Sequence, residues 1–266
     1  MSGGFTALLC GPLPERSVLG ALFARMLDVP LDDAAKIART SWGVLGENLP
    51  EDVAKSYAEC ARRSGMEAVV VPSEMAASIP PAAQIKKAQL SPEGISCETA
   101  GARLAAPWKS VYLVAAAPVK NEQRSVTKTE TKGPPDAARL AGMAIGIMTI
   151  GMPINVGGKK QQETRETVHL ETVFTLDIFS DSPCPRLRII DSGFDFSLLG
   201  AQKTYSSQAN FRLLALQVAS SAPGAARNAG ITAMAEGKIL STLAYDSSDL
   251  YEKELRRLYL LHKAAK

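Results

Sequence analysis

The pattern of apolar residues changes at a proline-rich stretch, residues 72–81, and this change limits what the chain can fold into. Before the stretch, apolar side chains recur mainly every three or four residues, as they do in amphipathic helices. After it, short runs typical of strands predominate as far as about residue 207. Because proline resists both helix interiors and central strands, the stretch itself is predicted to be a linker.

The sequence therefore predicts an α+β protein with two domains. The first domain covers residues 1–72, a linker covers residues 73–82, and the second domain covers residues 83–266. An inserted loop is expected in the second domain at about residues 118–167. The length of 266 residues agrees with this division, since domains commonly have ~100–200 residues.

The first domain is predicted to follow the order strand, two helices, short strand, helix and strand. Its third helix begins at Pro50, because the fixed backbone angle of proline suits the first helical position. The face of this helix that is predicted to point to the core consists of Val53, Tyr57, Cys60 and Ala61.

Two short runs in this domain carry a resemblance to known proteins. They are Leu31-Asp32-Asp33-Ala34-Ala35 and Leu49-Pro50-Glu51-Asp52-Val53-Ala54. With the element order, they resemble the superfamily that contains the ribosomal stalk protein C-terminal domain and the ClpS-type protease adaptors. The resemblance implies a small α/β sandwich without enzymatic activity that binds through exposed helices. It does not imply the partner of either family.

The second domain is predicted to contain several short strands followed by helices. Residues 168–178 alternate as one long strand, and residues 185–191 are its predicted hairpin partner. Helices are predicted from residue 207, over residues 225–236, and from residue 249. The core-facing residues of the last helix are predicted to be Tyr251, Leu255, Leu258 and His262.

The corner Ala106-Pro107-Trp108-Lys109-Ser110-Val111 carries a second resemblance. With the strands and closing helices, it resembles bacterial pleckstrin-homology-like domains, which implies a β-barrel with C-terminal helices. Lipid-binding members use basic residues on their first two strands. Lys86 and Lys87 match the first of these strands, whereas residues 94–98 supply no basic partner on the second.

Composition and motifs argue against several kinds of chemistry. The net charge of +3 is too small to indicate nucleic-acid binding. The four cysteines, Cys10, Cys60, Cys97 and Cys184, contain no CxxC pair, so neither a zinc site nor a disulfide framework is predicted. No signal-peptide pattern follows Met1, and a cytoplasmic protein with reduced thiols is expected.

No catalytic, cofactor-binding or metal-ligating residue is predicted. The sequence contains no nucleophile motif that His169 could activate as a base. His262 is predicted to be a helix-end side chain. Asp191 and Asp195 supply too few oxygen ligands for a calcium loop and are predicted to lie in a hairpin turn. Cys10 is predicted to be a small buried apolar residue rather than a nucleophile.

One apolar stretch, residues 140–152, lies between polar flanks and is called the apolar segment below. It is too short to span a membrane, since a helix of this length reaches only ~20 Å. Because contiguous apolar surface commonly marks a contact, the segment is predicted to be a helix that forms a contact site. Docking on its own domain, self-association and shallow membrane or partner contact stay open. The candidate contact residues are Leu140, Met143, Ile145, Ile147, Met148, Ile150 and Met152.

These observations together predict a non-enzymatic interaction or adaptor protein. The expected partner is one or more proteins, with self-association and weak membrane contact as further expectations and no nucleic acid. The alternative is a membrane-peripheral scaffold that contacts lipid through the apolar segment. A third alternative is an enzyme of unrecognised type.

Overall fold

The computed structural model describes residues 4–99, 102–130, 162–181, 185–238 and 244–266. The chain divides into two compact units. The first consists of Met1–Asn121 together with Thr172–Lys266, and the second is Glu122–Glu171. The predicted division at residues 72–83 falls within the first unit and stays a prediction.

The amino-terminal part of the first unit has the predicted order of elements. A three-stranded antiparallel sheet has the order β2-β1-β3, and three helices accompany it. The elements are β1 (Phe5–Leu9), α1 (Arg16–Leu27), α2 (Leu31–Ser41), β2 (Val44–Leu49), α3 (Glu51–Arg63) and β3 (Ala68–Pro72).

The inward face of α3 differs from the predicted one. The buried residues are Ala54, Ala58 and Ala61, whereas Tyr57 and Cys60 are half-buried at the edge of the contact. Alanine at this spacing has no bulk beyond its Cβ, so small residues can face the densely packed core while larger ones flank it. Pro50 precedes the helix as its N-cap rather than opening it.

The rest of the described chain adds two sheets and three helices. One sheet has five strands in the order β11-β8-β9-β10-β4, and the other has the order β5-β6-β7. The elements are β4 (Ala83–Ile85), β5 (Ala88–Leu90), β6 (Gly94–Thr99), β7 (Ala102–Pro107), β8 (Val111–Glu130), β9 (Gln162–Ser180), β10 (Arg186–Ile190), α4 (Ser207–Ser221), β11 (Ala226–Arg227), α5 (Ala229–Ala235) and α6 (Ser248–Ala264).

The α+β class is thus confirmed. The described strands form open sheets, and they do not close into a barrel, so the finer prediction of a pleckstrin-homology-like barrel is not confirmed. The helix predicted over residues 225–236 is shorter than expected. Residues 226–227 pair with β8 as β11, and Asn228 caps the helix that follows.

One hydrophobic core joins the beginning and the end of the first unit. Leu8 and Val44 from the first sheet pack in the same cluster as Tyr251 and Leu255 of α6. The stretch predicted as a linker contains a 3-10 helix, Ser73–Ser78, that also packs against this cluster. The carboxy-terminal helix therefore takes part in the core that supports β1 and β2.

Candidate functional site

A cleft of about 1140 Å³ opens between the loop after β1, the beginning of β8, the turn before α5 and one face of α6. All these elements belong to the first unit. Apolar atoms form most of the exposed wall, and polar and charged side chains are interspersed among them. Ligand-binding pockets commonly combine an apolar wall with positioned polar groups. The large apolar residues of the wall are Leu13, Trp108, Val111, Tyr112, Leu258 and Leu261.

The side chain of Asn228 fixes one part of the cleft floor. It is 1% exposed, and its Oδ1 accepts hydrogen bonds from the backbone N–H groups of Ala116 (3.0 Å) and Ile231 (3.1 Å). Its Nδ2 donates to the Ala116 carbonyl oxygen and to Glu254 Oε2, both at 3.2 Å. Asn228 thereby caps α5 and ties this helix to β8 and α6.

Glu254 is a buried carboxylate next to this asparagine. The hydroxyl of Tyr245 donates a hydrogen bond to its Oε2, and Trp42 stacks on Tyr245 with ring centroids 4.2 Å apart. Burial raises the pKa of Tyr245, and the charge of Glu254 raises it further. The phenol therefore keeps its proton and acts as a fixed donor.

Arg257 is the buried cation of the cleft, with 3% exposure. Its Nη1 donates to the carbonyl oxygens of Leu9 (3.0 Å) and Gly11 (3.2 Å), so it holds the end of β1 against α6. Its Nε is buried and has no hydrogen-bond partner among the residues that the structure describes. Burial lowers the pKa of Arg257, and the nearby Glu254 charge offsets part of this effect.

His262 lies at the far end of the same helix face. Its ring stacks on Tyr112 with centroids 3.9 Å apart, and its Nε2 is 4.0 Å from Asp181 Oδ2. Burial and the Lys266 charge lower the pKa of His262, against the opposing effect of Asp181. The ring is therefore neutral near pH 7, and its side chain is 24% exposed rather than fully in the core.

The lowered pKa of His262 gives stability a pH dependence with a defined sign. In the unfolded chain the ring takes up a proton at about pH 6.5, whereas the folded ring does so only at lower pH. The unfolded state then binds more protons, so the contribution of His262 to stability falls as the pH falls below about 6.5.

We therefore expect His262→Phe to make the free energy of unfolding less dependent on pH between about pH 7.5 and pH 5. Phenylalanine keeps a flat ring against Tyr112 but does not titrate. Urea unfolding of both proteins across this range measures the difference. Parallel curves for the parent and the variant would contradict the shift.

Several residues singled out from the sequence have structural roles. Asp191 Oδ1 accepts from the backbone N–H of Phe174 at 2.8 Å, and Asp195 caps a 3-10 helix through the N–H of Ser197. Burial and the Glu67 charge raise the pKa of the Cys10 thiol, which keeps it protonated. In the ranges that the structure describes, we find no group of side chains arranged to hold a metal ion.

The seven contact residues predicted in the apolar segment, from Leu140 to Met152, lie outside the described residues. The side chain of His169 also lies outside them. The predictions about these positions stay predictions.

Sequence reasoning missed the three polar residues that form the cleft floor, Asn228, Glu254 and Arg257. One signal was present for Glu254. Positions 251, 254, 255 and 258 share one helical face, so a carboxylate at 254 interrupts an apolar stripe. A charge within such a stripe indicates a buried polar contact, since buried charges require partners.

A second buried cluster of charges lies on β9 and β10. Asp177 is 0% exposed and accepts hydrogen bonds from Arg186 Nε at 2.8 Å and Arg188 Nη2 at 2.9 Å. Glu252 of α6 accepts from Arg186 Nη2 at 2.8 Å. Burial opposes the charge of Arg188, but the two carboxylates outweigh it and raise its pKa. The cluster ties α6 to the five-stranded sheet.

Comparison of the chain with protein-family models, with curated proteins and with solved structures finds no match. Among the described helices, none has the length and apolar character needed to cross a membrane.

Proposed function

We propose that this is a non-enzymatic binding protein that holds a ligand or a partner segment in the cleft. The observation that carries the proposal is the cleft of about 1140 Å³, with its apolar wall and a polar floor fixed by hydrogen bonds. A pre-formed pocket with a few positioned polar groups is suited to selective binding.

The state of the floor residues favours binding over catalysis. Asn228 and Arg257 bond to backbone groups, and the Glu254 carboxylate accepts from Tyr245, which keeps its proton. A general base instead needs an acceptor directed at a reacting group. The alternative of an enzyme of unrecognised type rests on His262, whose neutral ring lines the cleft. Its buried Nε2 has no hydrogen-bond partner among the described residues, and Asp181 lies 4.0 Å from it.

We also propose the two fold relationships that the sequence predicts. The β2-β1-β3 sheet with α1, α2 and α3 supports a stalk-like or ClpS-like domain that acts as an adaptor. The strands β4 to β10 followed by α4, whose apolar face packs in their core, support a relationship to pleckstrin-homology-like domains. The free thiols of Cys10 and Cys60 are in keeping with a cytoplasmic setting.

The membrane-peripheral scaffold remains the alternative proposal, and its support is the apolar character of residues 140–152. Flotation with liposomes tests it. We expect the parent protein to stay with the soluble fraction, and co-flotation that is lost on replacing Ile147 and Ile150 by aspartate would favour the scaffold instead.

A substitution that fills the cleft tests the binding function. Ala229 and Ala235 are both exposed on α5, but only Ala229 lines the cleft. When the parent protein retains molecules from extracts of its own cells, we expect Ala229→Trp to recover at least about tenfold less of them. Such a loss corresponds to about 1.4 kcal/mol of binding free energy. Ala235→Trp adds the same ring to the same helix and is the matched control.

Mass spectrometry of the retained proteins and small molecules provides the measurement for this comparison. Equal recovery by the two tryptophan variants would contradict binding in the cleft. Recovery of a chemically altered small molecule, with the alteration abolished by His262→Phe, would favour the enzyme alternative.

A further inference from the structure

The guanidinium of Arg257 uses only part of its hydrogen-bonding capacity. Both of its hydrogen bonds to described residues leave from Nη1, towards the carbonyl oxygens of Leu9 and Gly11. The buried Nε has no hydrogen-bond partner among the described residues, and none of these residues accepts from Nη2. A buried donor without an acceptor is costly to the folded state.

Three other charged residues of the cleft, Glu236, Lys238 and Glu254, have contacts of their own. Lys238 forms an ion pair with Glu236 at 2.6 Å, and both are exposed. The Glu254 carboxylate accepts the hydrogen bond of Tyr245 and makes no ion pair with Arg257 one turn further along α6. Arg257 is thus a buried cation in the described lining, and an acceptor that enters the cleft would supply the hydrogen bonds that its donors lack.

The guanidinium edge formed by Nε and Nη2 lies directly beside apolar wall. A Cβ built on Gly43 would be 3.1 Å from Arg257 Nε, 2.9 Å from Arg257 Cδ and 2.5 Å from Leu13 Cδ2. The guanidinium and the Leu13 side chain therefore both pack against the backbone of Gly43, which has no side chain to separate them. Because Nε is buried, a ligand reaches it only when a neighbouring flexible side chain such as that of Leu13 moves aside, and the ligand then contacts a cation and an apolar surface together.

We propose that the cleft binds an amphiphilic carboxylate, with its apolar chain along the cleft wall and its two carboxylate oxygens accepting from Nε and Nη2 of Arg257. The proposal rests on the binding function proposed above and specifies its ligand class. The two donors of one guanidinium edge match the two oxygens of a carboxylate, which gives paired charge-assisted hydrogen bonds. The mainly apolar wall provides for the chain.

The test compares decanoate with 1-decanol, which has the same chain length but no charge. We expect isothermal titration of the full-length protein to show decanoate binding at least about tenfold more tightly than 1-decanol. We expect Ala229→Trp to abolish decanoate binding, whereas Ala235→Trp leaves it within about twofold of the parent.

A second measurement examines Arg257 directly in the unaltered protein. The nitrogen-15 resonance of its Nε, assigned by its loss in Arg257→Lys, is expected to shift when decanoate is added and to stay in place with 1-decanol. If Arg257→Lys fails to fold, the affinity ratio and the Ala229→Trp comparison still decide the matter.

The outcomes separate this inference from the proposed binding function. Equal affinity for decanoate and 1-decanol, with both lost in Ala229→Trp, would overturn the carboxylate site and leave the cleft as a binding site. Absence of decanoate binding, or binding that Ala229→Trp does not affect, would also overturn the inference. The comparison with cell extracts decides the binding function independently of these probes.

Discussion

Replacing Asp177 by asparagine is expected to lower the free energy of unfolding by about 3–5 kcal/mol. The side chain of Asp177 is 0% exposed, and that of its partner Arg186 is 4% exposed, so their charges are removed from water together. Asparagine keeps the shape but removes the charge, which leaves Arg186 and Arg188 with Glu252 as their remaining carboxylate partner. An under-compensated buried cation costs far more than the net value of the intact pair.

An exposed ion pair in the same chain provides the control. Asp33 and Lys36 pair at 2.7 Å, but their side chains are 56% and 73% exposed. We expect Asp33→Asn to change stability by less than about 0.5 kcal/mol, because water solvates both ions. Urea unfolding of the parent and the two variants measures the difference. A loss below about 1 kcal/mol for Asp177→Asn would show that water or neighbouring groups compensate the arginines.

The strands and helices of the amino-terminal part could be predicted because the sequence signals for each of them are local. An apolar run that ends before Gly11 indicates β1, helical spacing indicates α1, and a proline indicates the start of α3. Each signal lies within or directly beside the element that it indicates. The predicted inward face of α3 was correct at Ala61 but not at Tyr57 and Cys60, because large apolar residues were assumed to point inward. Ala54, Ala58 and Ala61 face the core, and this choice depends on how close the sheet lies.

The cleft could not be predicted because it is assembled from distant parts of the chain. Arg257 bonds to Leu9 across 248 positions, and Asn228 bonds to Ala116 across 112. No periodicity relates such residues. Of these residues, only Glu254 is recognisable in the sequence, because it places a charge inside an apolar stripe. This pattern predicts a buried carboxylate but does not identify its partner.

Gly230→Ala is expected to destabilise the protein by about 3 kcal/mol, although helix propensity alone predicts the opposite. Alanine is favoured over glycine within a helix by about 0.5–1 kcal/mol. In α5, however, a Cβ at residue 230 would overlap the Ala116 carbonyl oxygen and lie 2.9 Å from its carbonyl carbon. These are backbone atoms of β8 that cannot rotate away, so α5 must move.

That movement would also break the hydrogen bonds that fix the cleft floor. Asn228 joins α5 to the N–H and the carbonyl of Ala116, so its contacts are strained by the same shift. The expected loss combines overpacking with weakened buried hydrogen bonds. Gly224→Ala is the matched control, because a Cβ there meets nothing within 4 Å. Urea unfolding should place this control within about 0.5 kcal/mol of the parent. Equal stability of the two variants would mean that α5 is not held against β8, and the cleft floor would then lack the rigidity that selective binding requires.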